Sequence, residues 1–190
     1  MEPIYKDIHL DLINECKAGS HSAQYKIYKL YYKAMFNTSL RIVNDTTEAE
    51  DIMQESFLDA FQKIETYSGE GSFGSWLKRI VVNNSLDVLR KSKDIISLDD
   101  NDIDLPDEED QIDEAEIQFK VEGIKKAIMQ LPDEYRVVIS LFLLEGYDHE
   151  EISSILNISN NSSRTRYSRA RQQVLKILKA EKGKKSFSRN

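Results

Sequence analysis

A run of acidic residues divides this chain of 190 residues into two parts. Residues 94–116 read DIISLDDNDIDLPDEEDQIDEAE, with 12 acidic side chains and no basic one. The run has no sustained apolar period and too few large side chains to build a core, and its like charges repel one another. The sequence therefore predicts a flexible linker between two modules, each near the smallest size at which a core suffices.

Two interpretations of the linker remain open at this point. The first is a plain tether between domains. The second is a polyanionic strand that occupies a basic, nucleic-acid-shaped channel in a partner protein. The residues contain no motif that separates the two.

The net charge of −7 conceals an asymmetry along the chain. Residues 1–93 hold 12 basic and 13 acidic side chains, whereas residues 117–190 hold 14 basic and 8 acidic. From residue 162 to 190 there are ten Lys or Arg against a single acid, Glu181. Solvated helices usually mix signs, and attraction to phosphate needs a surface of one sign. The C-terminal segment is therefore predicted to bind nucleic acid.

The stretch 131–178 has the layout of a helix-turn-helix. Asp148 and Glu151 match a capping box at the start of the first helix. Asn157 tolerates the left-handed backbone that ends a helix, and Ser159 can cap the next one. That second helix carries the basic residues Arg164, Arg166, Arg169, Arg171, Lys176 and Lys179. Its candidate packing positions are Tyr167, Val174, Leu175 and Leu178.

The first module is predicted to be helical throughout. Ser20 or Ser22 caps a helix, and Thr47 opens a capping box at the start of another. The apolar side predicted for the earlier helix includes Tyr25, Tyr28, Leu30, Tyr32, Met35 and Phe36. The stripe predicted for the later helix comprises Ala49, Ile52, Met53, Phe57, Ala60, Phe61 and Ile64. Off that stripe lie Asp51, Gln54, Glu55, Asp59 and Gln62, which form either a solvated face or a docking surface for a basic helix.

A glycine-bearing loop flanked by aromatic residues follows, YSGEGSF at residues 67–73, and leads into a basic helix predicted over 74–93. Trp76 on this helix has two interpretations. It is either a core residue or, with the loop aromatics and Asn83, part of a surface that holds unstacked bases.

With these motifs in this order, the chain resembles a sigma factor of the sigma-70 family, of the extracytoplasmic-function (ECF) type that keeps only regions 2 and 4. The resemblance lies in EAEDIMQESFLDAFQKIETYSGEGSFGSWLKRIVVNNSLDVLRK for region 2 and in LPDEYRVVISLFLLEGYDHEEISSILNISNNSSRTRYSRARQQVLKIL for region 4. It implies an all-α protein of two small helical domains. Region 2 would occupy residues 1–93, the flexible acidic linker 94–116, region 4 residues 117–182 and a basic tail 183–190.

The resemblance also implies a function without catalysis. Such proteins bind core RNA polymerase, through its β and β′ subunits, and direct it to promoters. The positions that match the docking pattern for β′ are Asp51, Gln54, Glu55 and Phe57. In region 2 the loop and the next helix melt the −10 element and capture a flipped base. The matching positions are Tyr67, Gly69, Glu70, Phe73 and Asn83, with Lys78 and Arg79 beside them.

Region 4 of such proteins reads the −35 element as duplex DNA. The matching positions here are Ser162, Arg164, Thr165, Arg166, Ser168, Arg169 and Arg171. Arginine suits this role because its fork bonds two acceptors on guanine. Ser163 departs from the family pattern by replacing a valine, which predicts looser packing. Ser68 stands in place of a basic residue, and Gly71 and Gly74 are expected to add flexibility to the −10 loop.

Further expectations follow from the resemblance or from features the chain lacks. The resemblance implies that the linker runs through the RNA exit path and that an anti-sigma protein is a partner. With one cysteine, scattered histidines and no phosphate-binding loop, we expect no metal, no cofactor and no enzyme. No apolar run is long enough to span a membrane, so we expect a cytoplasmic protein. The alternative function is a stand-alone helix-turn-helix regulator whose first half senses a ligand or dimerises.

Overall fold

The computed structural model describes residues 9–92 and 121–187. In these residues it is helical and contains no strand, so the all-α prediction is confirmed. The chain divides into two compact units, Met1–Asp94 and Ile95–Asn190. The predicted linker lies outside the described residues.

The N-terminal unit is built from four helices joined by short connections. These are α1 (Leu10–Lys17), α2 (His21–Val43), α3 (Thr46–Gln62) and α4 (Phe73–Ser92), with a 3-10 turn at Ile64–Thr66. The helices α2, α3 and α4 pack against one another, and α1 packs on α2. Their shared core contains Ile27, Met35, Met53, Phe57, Phe73, Leu77 and Val81.

The helix starts follow the local chemistry, with one correction. Ser20 caps α2 by accepting a hydrogen bond from the Ala23 amide at 3.3 Å. The predicted capping box at Thr47 is wrong: the N-cap of α3 is Asp45, two residues earlier, and its carboxylate accepts a hydrogen bond from the Glu48 amide at 2.9 Å. A carboxylate at the N-cap satisfies a free amide of the first turn, so the helix begins before the threonine.

The apolar side predicted for α2 is also partly wrong. Tyr25 and Leu30 are 61% and 51% exposed. Met35 is buried as predicted, and Tyr28, Tyr32 and Phe36 pack partly buried against the core. The prediction missed the other buried residues of α2, which are Ala23, Ile27, Thr38, Ser39, Ile42 and Val43. Small polar residues belong to this buried side because α4 approaches closely: the hydroxyl oxygens of Ser39 and Ser85 lie 3.0 Å apart. The stripe predicted for α3 is confirmed, with Phe61 half-buried.

The C-terminal unit consists of α5 (Val121–Met129), α6 (Asp133–Ser140), a π-helical turn (Leu141–Glu145), α7 (His149–Leu156) and α8 (Asn160–Phe187). The long helix α8 packs against α5, α6 and α7. The core of this unit contains the buried side chains of Ala127, Ile128, Leu131, Ile139, Ala170, Val174 and Leu178. Residues 183–187 of the predicted tail continue α8, so the tail begins as helix.

Candidate nucleic-acid and protein interfaces

The helices α7 and α8 and the turn between them have the capping geometry that the sequence predicts. The Asp148 carboxylate accepts hydrogen bonds from the amides of Glu150 and Glu151, both at 2.8 Å. In return, the Glu151 carboxylate accepts a hydrogen bond from the Asp148 amide at 2.9 Å. Asn157 is left-handed with φ 55°, and Ser159 accepts a hydrogen bond from the Ser162 amide at 3.0 Å. The helix-turn-helix is therefore defined at both helix ends.

An aromatic cluster joins α7 to the first turns of α8. The His149 ring stacks on Phe142 with centroids 4.6 Å apart, and Tyr167 meets both rings at 4.5 and 5.6 Å. His149 Nδ1 lies 2.9 Å from the hydroxyl of Ser163, which is fully buried. The expected loose packing at Ser163 is thus replaced by a polar link to His149. The sequence shows no signal for this pairing, because the two residues belong to different helices.

The environment of His149 favours its neutral form. Burial lowers the pKa of His149 below its usual value, the Arg164 guanidinium lowers it further, and Asp148 opposes the shift. Burial favours the neutral imidazole because transfer from water penalises the cation. A neutral imidazole can exchange a hydrogen bond with the Ser163 hydroxyl in either direction.

The cations of α8 lie around its outer surface. Arg164 and Arg171 are exposed, while Thr165, Arg166, Ser168 and Arg169 are half-buried. At 100° per residue, Thr165, Ser168 and Arg169 lie opposite the buried side of α8, with the exposed arginines at one edge and Arg166 at the other. Among the described residues, none forms an ion pair with Arg166, Arg169 or Arg171. This surface can attract a polyanion.

Two residues predicted to contact DNA form hydrogen bonds with side chains at the start of α8 or in the turn before it. Arg164 Nε donates a hydrogen bond to Asn160 Oδ1 at 2.9 Å, which fixes the guanidinium at the start of the helix. Ser162 is only 6% exposed, and its hydroxyl lies 2.9 Å from that of Ser159. Ser162 therefore supports the turn from inside.

The glycine loop before α4 is shaped by hydrogen bonds to its own backbone. Tyr67 is buried and donates its hydroxyl hydrogen to the Gly71 carbonyl at 2.8 Å. Lys17 on α1 donates to the Tyr67 carbonyl at 3.0 Å. Gly69 and Gly71 both have positive φ, 84° and 85°, which L side chains rarely adopt. The loop is thus anchored at its start while Ser68, Gly69 and Glu70 remain exposed.

Aromatic rings support this loop from the core. Phe73 is fully buried, and its ring centroid lies 5.5 Å from Tyr67 and 5.3 Å from Trp76. Trp76 is half-buried and packs against the same core, which favours the core interpretation, while its part in holding bases stays a prediction. Gly74 lies inside α4, and a Cβ there would stand 2.9 Å from Tyr31 Cε1. The expectation that Gly74 adds flexibility is therefore wrong, because the residue serves close packing.

The outer face of α4 brings some predicted residues together and separates others. Arg79 and Asn83 are exposed and four residues apart, and Trp76 lies one turn before them on the same side. Lys78 is half-buried and lies 100° around the helix from Arg79. The basic residues Lys78 and Arg79 therefore do not form one cluster.

The helix α3 presents a mixed polar and apolar face. Asp51, Gln54 and Glu55 are exposed, whereas Phe57 is 3% exposed and belongs to the core. Leu58 lies between these polar residues and is 63% exposed. Our sequence interpretation missed Leu58, although its spacing of three and four residues from Glu55 and Gln54 assigns it to their side of the helix.

A shallow groove of 340 Å³ runs beside this face, between α3 and α4. Its lining comprises Glu55, Leu58, Asp59, Gln62, Asn84, Asp87, Val88 and Lys91. Asn84 ties the two helices together by donating to Ser56 Oγ at 3.1 Å and to Asp59 Oδ2 at 3.3 Å. The groove combines the apolar side chains of Leu58 and Val88 with three carboxylates or amides on α3, as a basic amphipathic partner would require.

The described residues also bear on enzyme chemistry and membranes. Among them, no group of three or more His, Cys, Asp and Glu side chains could hold a metal ion. Cys16 is buried, and that burial raises the pKa of its thiol, which disfavours the nucleophilic thiolate. Within residues 9–92 and 121–187, no helix combines the length and apolarity needed to cross a membrane.

Two family models match the chain, one in each unit. Sigma-70 region 2 matches residues 27–95, and Sigma-70 region 4 matches residues 122–174. The ECF RNA polymerase sigma factor SigW of Bacillus subtilis is 31% identical over 182 residues, which cover 88% of this chain and 95% of that protein. The RNA polymerase sigma-H factor of Pseudomonas aeruginosa is 26% identical and covers 88% of this chain and 92% of its own length.

Two solved structures share the fold. The sigma factor RpoE from Bartonella quintana, crystallised with the anti-sigma factor NepR, matches with a TM-score of 0.54 at 20% identity and covers 82% of this chain and 96% of its own. CnrH, in complex with the cytosolic domain of CnrY, matches with a TM-score of 0.52 at 18% identity, covering 89% and 96%. At these identities the likeness concerns the fold alone.

Proposed function

Because this chain belongs to the sigma-70 family of RNA polymerase sigma factors, of the ECF type, we propose that its three exposed helical faces have three separate roles in initiation. The protein binds core RNA polymerase and directs it to promoters. The observation that best supports the separate roles is the distribution of charge. In one unit, α8 carries arginines that form no ion pair with any other described residue. In the other unit, α3 carries acidic and amide side chains.

We assign −35 recognition to α8. Arg164, held at the helix start by Asn160, and Arg169, opposite the buried side, are proposed to read base edges in the major groove. A bidentate arginine on guanine discriminates by about 1–3 kcal/mol. Thr165 and Ser168 would contact the same groove, and Arg166 and Arg171, at the edges, would hold phosphates. Ser162 is proposed to support the turn without touching DNA, because its side chain is buried.

We assign capture of a −10 base to the loop at 67–73 and the outer face of α4. Extrusion of a base costs a few kcal/mol of pairing and stacking, so a preformed site must offset that cost. Exposed Gly69 and Glu70 form the rim, and Arg79 and Asn83 supply donors beside it. Tyr67 and Phe73 are proposed to support the loop from below, because their rings are buried. Lys78, on another side of α4, would reach only the backbone of the strand.

We assign core polymerase binding to the α3 face. Asp51, Gln54, Glu55 and Leu58 are exposed together and suit a basic helix with an apolar seam, as the resemblance implies for the β′ subunit. Phe57 faces inward and is proposed to hold α3 in place. Buried apolar residues under a polar docking face keep that face rigid, which limits the entropy lost on binding.

The remaining assignments follow from family membership. We propose that the protein acts in the cytoplasm, has no catalytic activity of its own, and contacts the β subunit as well as β′. One structural neighbour is the sigma factor RpoE in complex with the anti-sigma factor NepR, so an anti-sigma partner is proposed here too. The role of residues 94–116 in the RNA exit path stays a prediction, since they lie outside the described residues.

Run-off transcription tests the function. Purified core enzyme with this chain should start RNA of defined length on genomic promoter fragments, while core alone should not. If the chain is instead a stand-alone regulator, the free chain should bind an operator tightly and should give no specific RNA with core. A mixture that produces no specific RNA on any fragment would reject the sigma-factor assignment.

A further inference from the structure

The outer face of α2 carries a cluster that none of these roles uses. Tyr25, Lys26, Lys29 and Lys33 are all exposed, Tyr25 by 61%. Spacings of three and four residues place them on one side of the helix, away from the buried Ile27 and its neighbours. We call these four residues the α2 surface.

The charge of the α2 surface is not compensated by neighbouring acids. The sequence of α2 contains four basic residues and no acidic one. Among the described residues, none forms an ion pair with these three lysines. Two other exposed cations of the same unit do have acidic partners: Lys63 lies 3.6 Å from Asp59, and Arg90 lies 3.1 Å from Asp87.

Aromatic rings hold the ammonium groups at the surface instead. Lys29 Nζ lies 5.5 Å from the centroid of Tyr25, and Lys33 Nζ lies 5.9 Å from that of Tyr32. Such cation–π contacts contribute about 0.5–1 kcal/mol at exposed sites. They limit the motion of long side chains and leave the ammonium hydrogens free to bind an anion.

The geometry favours nucleic acid over an acidic protein. From Lys26 to Lys33 the helix rises about 10 Å, so the three lysines can meet neighbouring phosphates along one strand. An accessible tyrosine beside a row of cations is the combination that binds single strands, because a base can stack on the ring while phosphates meet the lysines. An acidic peptide would use the charges but not the ring.

We propose that the α2 surface binds single-stranded DNA of the opened promoter, as a site additional to the loop and α4. This inference rests on the function proposed above, since it concerns a strand that exists only after melting. The lysines contact the phosphates of the strand, and Tyr25 stacks on one of its bases.

The test compares two charge-matched triple variants of the full chain in holoenzyme. The first is Lys26→Gln, Lys29→Gln and Lys33→Gln. The control is Lys63→Gln, Lys125→Gln and Lys126→Gln, which removes the same formal charge from exposed sites elsewhere, at the end of α3 and in α5. The measurement is the affinity for promoters with a pre-melted −10 region at a series of salt concentrations. We expect the α2 variant to bind about tenfold more weakly near 0.15 M salt and to lower the log–log salt slope by about 2, at about 0.7 per phosphate.

Two further measurements separate the contacts. Tyr25→Ala should lower affinity about fivefold or more with the salt slope unchanged, because stacking is not a charge interaction. A photo-crosslinker attached through Lys29→Cys should join the protein to promoter DNA. Crosslinks only to polymerase subunits or to this chain itself would assign the α2 surface to a protein partner and overturn the inference.

Other outcomes also decide the matter. The inference fails if both triple variants have the same salt slope, if the α2 variant loses affinity for core in a titration without DNA, or if its defect appears only on fully duplex promoter. Each of these failures leaves specific run-off transcription by the unmodified chain in place. Absence of that run-off would instead reject the sigma-factor assignment itself.

Discussion

At the scale of single residues, the C-terminal unit depends on polar groups that the sequence pattern assigns to the surface. Arg136 is 1% exposed, pairs with Asp133, and donates to the Leu131 carbonyl at 3.2 Å. An arginine between Tyr135 and Val137 carries no sign of burial in the sequence. Its burial follows from the packing of α6 against α8, which leaves no solvent over that side chain.

Replacing one or the other partner of the buried ion pair is expected to change the free energy of unfolding by different amounts. Asp133→Asn removes the negative charge that faces the buried guanidinium of Arg136 and should cost about 3 kcal/mol or more. Arg136→Met removes the buried charge and keeps apolar volume, while the carboxylate of Asp133, 16% exposed, regains some water, so the loss should be smaller. Urea unfolding of both variants measures the difference. The reverse order of stability would contradict this account of the pair.

A second residue-scale prediction concerns pH. Burial and then Arg164 hold the pKa of His149 below its usual value, with Asp148 opposing. The folded state therefore binds this proton less readily than the unfolded state does. The stabilisation is present above about pH 6.5 and is lost as pH falls through the lowered pKa.

His149→Gln should therefore reduce the pH dependence of stability, because glutamine can bond Ser163 but does not ionise. We expect the Tm of the natural chain to fall more than that of the variant between pH 7.5 and 5.5, as followed by circular dichroism. Ser163→Val serves as the control, since it breaks the hydrogen bond and keeps the titrating ring. Equal pH dependence for the natural chain and His149→Gln would exclude His149 as the titrating group.

At the scale of elements, a glycine decides how closely α4 approaches α2. The Tyr31 ring lies against Gly74 and is confined by Phe73 at 5.7 Å and His9 at 5.9 Å. Alanine is favoured over glycine in helices by about 1 kcal/mol. Contact at 2.9 Å with a ring that cannot turn away costs more, about 1–3 kcal/mol.

Gly74→Ala should therefore destabilise the N-terminal unit in spite of its better helix propensity. The expected net loss in the free energy of unfolding is about 1 kcal/mol. Tyr31→Leu removes the opposing ring, and in that background Gly74→Ala should become neutral or stabilising. Chemical denaturation of the four proteins in this double-mutant cycle gives the coupling. Additive effects of the two changes would show that the contact is not what disfavours a side chain at residue 74.

At the scale of the whole molecule, the arginine surface of α8 and the carboxylate surface of α3 belong to different folded units. A net charge of −7 would argue against DNA binding if it were spread evenly. Instead α8 presents arginines and α3 presents carboxylates, each over its own apolar core. The two surfaces therefore belong to units whose cores share no residue, and each is expected to act on its own partner.

This separation predicts that defects in the two surfaces are independent. Arg164→Ala with Arg169→Ala should weaken −35-dependent initiation at least tenfold and leave core affinity unchanged. Asp51→Asn with Glu55→Gln should lower core affinity and leave promoter contacts of the assembled holoenzyme intact. Free energies from the combined variant should add within about 0.5 kcal/mol. Core titration and abortive initiation at saturating core measure the two effects, and strong non-additivity would contradict separate roles.

Local chemistry in the sequence was enough to predict the helices, the capping of α7, the left-handed Asn157 and the all-α class. Capping and turn geometry depend on residues within four positions of one another, so the sequence identifies the candidates without the fold, although at α3 it favoured Thr47 over the actual N-cap Asp45. The apolar period of α3 was also sufficient, because its polar and apolar residues alternate at helical spacing. For α2 the spacing of apolar residues did not identify the buried side correctly, since aromatic residues occur on both its buried and its exposed sides.

Contacts between helices were decided only by the tertiary structure. Four examples are the His149–Ser163 link, the burial of Arg136, the need for glycine at Gly74 and the burial of Phe73. Each joins residues from different helices or depends on how closely two helices approach. Their energies come from burial and from distances of a few ångströms, which a linear pattern does not contain. The sequence by itself determined which kinds of partner this protein meets, because charge and residue type persist in any fold; packing decided which side chains can reach them.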